Sequence, residues 1–193
     1  MVLTPDLLLS AYTQGIFPMA GEDDTIFWYD PDPRAILPLS NFHIPRSLKR
    51  VMRRGSYEVQ RDMAFGEVIR ACAEATPGRE ETWINPEIIL AYEQLYHLGF
   101  AHSVEIWQDG LLAGGLYGVA INGLFAGESM FSRMRDASKV ALVYLVAHLR
   151  RQGFLLLDIQ FLTEHLERFG AVEVTRREYK DALAVALNHR TSF

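Results

Sequence analysis

Apolar residues along the chain recur at two spacings, and each spacing predicts a kind of element. Leu7, Leu8, Ala11 and Tyr12 fall on one helical face, after a start made of Thr4 as cap, Pro5 and Asp6, and before a stop at Gly15. Phe65, Val68, Ile69 and Cys72 form a second helical stripe within Met63 to Cys72. Asn85-Pro86-Glu87 repeats the cap, proline and acid start, and that helix runs to about His97 and stops at Gly99. Asp136 to Lys139 opens a longer helix ending near Arg151, with Leu142, Leu145 and Leu149 on one face and Gly153 as its stop. Thr163 caps a short helix through Phe169, and Tyr179 to Leu187 reads as a last helix.

The other spacing is that of strands. Ala101 to Ser132 holds three apolar runs separated by Gln108-Asp109-Gly110 and Asn122-Gly123, which are hairpin turns because Asp, Asn and Gly accept positive φ. A three-stranded antiparallel meander is expected there. Its second strand carries Gly114, Gly115 and Gly118, and glycines in a strand point to a bend or to a close approach of the backbone, so a ligand groove is expected along it. Phe154 to Gln160 is a buried strand on which Leu156, Asp158 and Gln160 alternate onto one face. Asp158 after so apolar a run is costly unless it has a partner. Ala171 to Thr175 and Arg34 to Pro38 are further strands, and Ile26 to Tyr29 is a short aromatic run. After residue 60 the order is two helices, the meander, then alternating helices and strands. It predicts an α/β (α+β) domain with a mixed central sheet covered by helices on both faces, the order of a GNAT-like acyltransferase. Residues 1–40 are expected to form a small N-terminal domain and residues 41–193 the catalytic domain.

Composition narrows the class. The 193 residues are 49% hydrophobic and 22% charged, which is globular. One cysteine excludes an internal disulfide and suits a reducing, cytoplasmic setting. No apolar run approaches the roughly 18–20 residues of a spanning helix, and the start of the chain has no basic segment of a signal peptide. The net charge of −5 argues against broad nucleic-acid binding. A local exception is Arg46 to Arg54, where most of Arg46, Lys49, Arg50, Arg53 and Arg54 would lie on the outer side of a helix held by Leu48, Val51 and Met52. Such a run is either a solvated helix face or a patch that contacts phosphates.

Several blocks then occur in order. They are Tyr12-x-x-Gly15-x-Phe17-Pro18, Trp28-Tyr29-x-Pro31-x-Pro33-Arg34, Thr82-Trp83-Ile84, Ala101-His102-Ser103-x-Glu105-x-Trp107, Gly114-Gly115-Leu116-Tyr117-Gly118, Gly127-Glu128-Ser129-Met130-Phe131-Ser132, Ala137-Ser138-Lys139, and Asp158-x-Gln160 with His165 and Gly170-Ala171. Together they resemble the leucyl/phenylalanyl-tRNA–protein transferase family over nearly the whole chain. The resemblance implies transfer of Leu or Phe from aminoacyl-tRNA to the α-amine of proteins beginning with Lys or Arg, which marks them for degradation. It implies no metal and no cofactor beyond aminoacyl-tRNA as co-substrate. Asp158 and Gln160 match the family's catalytic pair, and Glu128 is proposed to face the basic side chain of the acceptor. Leu116, Phe125, Leu142, Leu145, Leu149 and Leu157 match an aminoacyl side-chain pocket. Tyr12, Trp83 and Tyr92 match aromatic positions at the terminal adenosine, and Met19 stands where some members carry a tryptophan. The basic run Arg46 to Arg54 would contact acceptor-stem phosphates.

Three other readings compete with this one. An acyl-CoA-dependent acetyltransferase shares the fold, but Ser132-Arg133-Met134-Arg135-Asp136-Ala137 lacks the glycines of a pyrophosphate turn. A serine hydrolase rests only on Gly127-Glu128-Ser129-Met130-Phe131, which lacks the closing glycine and sits on a hairpin. A tRNA-binding module without catalysis would leave Asp158, Gln160 and the apolar pocket unused. His97, His102, Glu105 and Cys72 have no metal-ligand spacing.

Overall fold

A computed structural model describes residues 3–75 and 82–193. The loop expected around Pro77 and Gly78 lies outside the described residues. Helix α1, Pro5–Thr13, starts where Thr4 accepts from the Leu7 amide. Strands β1, Phe17–Ala20, and β2, Ile26–Tyr29, form a separate antiparallel ribbon. Then follow β3, Arg34–Ile36; α2, Arg46–Arg54; β4, Glu58–Arg61; α3, Phe65–Ala73; and α4, Pro86–His97. The meander is β5, Ala101–Gln108; β6, Leu111–Ile121; and β7, Leu124–Ser132. The chain ends with α5, Ala137–Gln152; β8, Leu156–Gln160; α6, Glu164–Glu167; β9, Val172–Val174; and α7, Arg176–Leu187. The Thr175 hydroxyl and the Glu178 carboxylate close a reciprocal cap at the start of α7, three residues earlier than the apolar pattern begins.

The main sheet has seven strands in the order β4-β5-β6-β7-β8-β3-β9. Every pairing is antiparallel except β7 with β8. β3 lies between β8 and β9, so residues 34–36 are part of this sheet although they precede the boundary expected near residue 40. β4 is an addition to the expected elements. It is a short edge strand with one aliphatic residue, Val59, among Glu58, Gln60 and Arg61, and so has no apolar alternation to read. Two large cores flank the sheet, and a smaller third joins Tyr179, Leu183 and Ala186 of α7 to Leu124 and Leu156. One large core joins Leu142, Leu145 and Leu149 of α5 to Leu116, Phe125 and Leu157. The other joins α1, α3 and α4 to the opposite face through Leu8, Tyr12, Val68, Ile88, Tyr92 and Tyr117. Among the described residues no helix is long and apolar enough to cross a membrane.

The glycines of β6 do not form a ligand groove. A Cβ on Gly114 would lie 2.6 Å from the Ala137 Cβ, and one on Gly118 would lie 2.3 Å from the Ala126 carbonyl oxygen. They let α5 and β7 approach β6, so the expected groove is replaced by direct packing. The opening lies one strand further on. β7 and β8 pair only from Leu124–Ala126 to Leu156–Asp158. Beyond that point β7 continues beside β6, β8 runs to Gln160, and a cavity fills the fork between them.

Candidate active site

The cavity at the fork has a volume of about 320 Å³. Leu116, Leu142, Leu145, Leu157, Met130 and Ile159 give it an apolar wall. Met19 and Trp83 also line it, and Glu128 and Gln160 are acid and amide in the same wall. A cavity of this kind, apolar with a few convergent polar groups, is the usual form of a small-ligand site.

A β-bulge aims Glu128. Tyr117 pairs with Ser129 and Gly118 with Gly127, which leaves Glu128 as the extra residue of β7. Its Oε1 accepts from the Tyr12 hydroxyl at 2.7 Å and from Gln160 Nε2 at 3.0 Å, and its Oε2 accepts from the Tyr92 hydroxyl at 3.2 Å. The Tyr12 and Tyr92 hydroxyls also touch each other. All three donors are neutral, and Glu128 has no cationic partner among the described residues. Burial pushes its carboxyl up to about 7, against the pull of the Tyr12 and Gln160 hydrogen bonds, and the Asp158 charge adds to the rise.

Asp158 is the opposite case. Its Oδ2 accepts from Arg34 Nη2 at 2.6 Å and from the Tyr179 hydroxyl at 2.9 Å; its Oδ1 accepts from Arg34 Nε at 2.9 Å and from the Gln160 amide at 2.9 Å. The guanidinium is itself enclosed between the rings of Phe17 and Tyr179, 4.7 and 4.3 Å from their centroids, and also donates to the Gly15 carbonyl. Burial alone would weaken the charge on Arg34, and the Asp158 carboxylate more than offsets it, so the guanidinium stays above its ordinary pKa. Gln160 has a φ of +66°, a left-handed conformation that a side-chain-bearing residue adopts only when held there. The Asp158 bond to its amide supplies that hold. Its side-chain amide is thereby turned onto Glu128, and Gln160 Oε1 accepts no hydrogen bond from any described residue.

The family model described as Leucyl/phenylalanyl-tRNA protein transferase matches residues 36–184, and that of the Leucyl/phenylalanyl-tRNA protein transferase N-terminal domain matches residues 1–32. The chain belongs to this family. A leucyl/phenylalanyl-tRNA–protein transferase of Paramagnetospirillum magneticum is 57% identical over 96% of this chain and 90% of its own length. One of Herpetosiphon aurantiacus is 57% identical over 99% of this chain and 98% of its own. Among solved structures, that of L-PGS from Bacillus licheniformis superposes with a TM-score of 0.50 at 14% identity, covering 89% of this chain and 66% of that one, a likeness of fold alone. The fold is the mixed α/β arrangement expected from the element order, a mixed central sheet with helices on both faces.

Within this family member, the expected site residues fall into distinct places. Leu116, Leu142, Leu145 and Leu157 line the cavity, whereas Phe125 and Leu149 do not. Phe125 packs on Phe154 and Phe193, and Leu149 is wholly buried in the α5 core, so both belong to the layer behind the pocket wall. Met19 and Trp83 reach the cavity. Tyr12 and Tyr92 do not present ring faces to a base: both rings are buried, Tyr92 in a T-shaped contact with Tyr117, and their hydroxyls hold Glu128. Stacking on an adenine at these two positions is therefore corrected to support of the carboxylate. Asp158 does not line the cavity; it accepts from the backbone amide of Gln160, which does. All five cations of α2, Arg46, Lys49, Arg50, Arg53 and Arg54, are exposed, and none forms an ion pair among the described residues. Arg34 and Tyr179 were not anticipated. For Arg34 a signal existed, a single cation before the apolar Ala35-Ile36-Leu37, which needs a buried partner. Tyr179 carried none.

Proposed function

We propose that this chain transfers an apolar aminoacyl group, Leu or Phe, from aminoacyl-tRNA to the α-amine of a polypeptide that begins with Lys or Arg. One observation carries the acceptor half: Glu128 is a cavity-facing carboxylate held by three neutral donors and, among the described residues, by no cation. Such a group is completed by a cationic ligand, because a charge paired in a dry site is far less costly than one left alone. The apolar wall of Leu116, Leu142, Leu145 and Leu157 receives the aminoacyl side chain, and a wall of this kind separates similar side chains by only ~1–3 kcal/mol per methylene, in keeping with two donors. Trp83 and Met19 cover the terminal adenosine, and the exposed cations of α2 contact backbone phosphates.

In the reaction the neutral acceptor amine attacks the ester carbonyl carbon. An N–C bond forms, the bond from that carbon to the terminal ribose oxygen breaks, and one amine proton is passed to the departing oxygen. Gln160 Oε1, left open by the bond of its amide nitrogen to Glu128, accepts from the amine and aligns it. An amide is too weak a base to keep the proton, so Gln160 orients and the ribose oxygen ends with it. Asp158 is a positioning residue that fixes Gln160 through its backbone. Aminoacyl-tRNA enters as co-substrate, and no resident metal or cofactor has a step in this scheme. The acceptor so modified is marked for degradation, a cytoplasmic role that rests on the family resemblance.

Purified protein mixed with Leu-tRNA and a peptide beginning with Arg tests the reading. It predicts a Leu-extended peptide and none when acetyl-CoA replaces the charged tRNA. Acetylation of the peptide instead, or no extension with active Leu-tRNA, would overturn it.

A further inference from the structure

The cavity continues onto an aromatic ledge. Phe17, Met19, Phe27 and Tyr29 share one face of the β1–β2 ribbon, where Phe17 pairs with Tyr29 and Met19 with Phe27. Met19 lines the cavity, as does Phe161 just past β8. The Phe161 ring stands edge-on to Phe17 at 5.7 Å, and Phe17 stacks on Tyr29 at 5.9 Å. Phe17 is buried beneath the other two, while Phe161, Tyr29 and Phe27 are 44, 37 and 48% exposed. Three large rings thus lie uncovered on a surface continuous with the cavity mouth, a feature that marks a binding surface more often than an accident of packing.

Charge separates the possible occupants. Between Phe17 and Arg34 the chain carries Glu22, Asp23, Asp24, Asp30 and Asp32, and its single cation is Arg34, buried against Asp158. Asp30 is paired with Arg176 and Lys180, but Glu22, Asp23 and Asp24 at the ribbon tip are exposed and form no ion pair among the described residues. Phosphates are repelled by such a ribbon, whereas the five exposed cations of α2 form no ion pair among the described residues. A polypeptide with a basic first residue meets the complementary sign.

We infer that the Phe161–Tyr29–Phe27 ledge binds the acceptor polypeptide beyond its first residue, taking apolar or aromatic side chains there and rejecting acidic ones. This rests on the transfer reading, because it presumes that the acceptor's first residue sits at Glu128. The chain that follows must leave the cavity, and Phe161, which lines the cavity and packs on Phe17, leads from it onto the ledge. The ledge is a second specificity element. Glu128 reads charge at the first residue, and the rings read shape and polarity after it.

Transfer kinetics with Leu-tRNA test this, using argininamide, which stops at the first residue, and peptides Arg-Phe-Ala-Ala and Arg-Asp-Ala-Ala. The unaltered protein is expected to favour the Phe peptide over the Asp peptide. In Tyr29→Ala and in Phe27→Ala the ratio of kcat/KM for the Phe peptide to that for argininamide should fall about fivefold, through KM. Because Tyr29 covers the buried Phe17, Phe27→Ala is the variant whose fold is least disturbed. An unchanged ratio in both variants would overturn the ledge, as would a rise in KM for Leu-tRNA with no change for the peptides, which would assign the rings to RNA. No transfer to any acceptor by the unaltered protein would overturn the functional reading and the ledge with it; transfer to argininamide with no preference between the peptides would overturn the ledge alone.

Discussion

Gln160 Nε2 donates to Glu128 Oε1 at 3.0 Å, and this one bond joins the two branches of the forked sheet across the cavity. It commits the nitrogen of Gln160 and leaves its oxygen for the acceptor amine. Replacement of Gln160 by Glu would bring two carboxylates together there. Gln160→Glu is therefore expected to lower kcat at neutral pH by at least about 100-fold while KM for Leu-tRNA changes little. Gln160→Ala should also lower kcat, with fold retained, since the side chain is at the cavity wall. Steady-state kinetics with both substrates varied checks this.

Glu128, with its carboxyl pushed up to about 7 by burial, binds a proton in the folded chain over a range where the unfolded chain has lost it. The folded state then loses stability as pH rises from about 4.5 to about 7, by about 3 kcal/mol in full. Glu128→Gln should remove this slope, so that the variant gains on the parent between pH 5 and pH 8. Urea unfolding at several pH values measures it. In the parent, kcat/KM for an Arg peptide should rise through pH 7 as the carboxylate forms, and the variant should keep only the rise that comes from deprotonation of the acceptor amine, centred at about 8.

Asp158 and Arg34 are a buried pair, each 1% exposed. Removing one partner leaves a lone buried charge, at a cost of about 3–5 kcal/mol. Asp158→Ala should thus lose stability as well as transfer, and loss of transfer in that variant alone does not distinguish a catalytic group from a positioning one. The double change Asp158→Leu with Arg34→Met is expected to recover a large part of the lost stability and none of the transfer. Chemical denaturation and transfer assays on the three proteins decide it.

The apolar wall sets donor preference. Leu145→Phe narrows the cavity and should reduce kcat/KM for Phe-tRNA about tenfold more than for Leu-tRNA. The ratio of the two donors in competition is the readout.

On α2, Arg50→Gln and Arg53→Gln should weaken tRNA binding for every sequence alike and reduce the slope of log affinity against log salt by about one per lost phosphate contact. Filter binding across a salt series measures it, and an unchanged slope would return α2 to an ordinary solvated helix.

Much of this architecture can be read from the residues. The hairpin turns at Asp109-Gly110 and Asn122-Gly123 and the leucines of α5 specify the meander and its cover, because turn chemistry and periodicity are local. The pairing of β3 between β8 and β9 is not local, and three residues cannot announce two distant partners. At the site, Asp158, Gln160 and Glu128 can be singled out in the sequence, and the structure links them by hydrogen bonds, but the partner of each acid cannot be read there. Asp158 is matched by Arg34, 124 positions away, and Glu128 by Tyr12, 116 away, so which acid is already neutralised depends on the fold. The β6 glycines show the converse: the same residues serve a groove or a close contact, and only the distance from Gly118 to Ala126 decides.

The most direct measurement compares transfer of Leu to two peptides that differ only in their first residue, Arg or its neutral isostere citrulline, by the parent and by Glu128→Gln at pH 8. A carboxylate without a cation of its own predicts a strong Arg preference in the parent that falls about 100-fold in the variant. An Arg-to-citrulline ratio that stays the same in both proteins would contradict the assignment of Glu128 as the reader of the acceptor's charge.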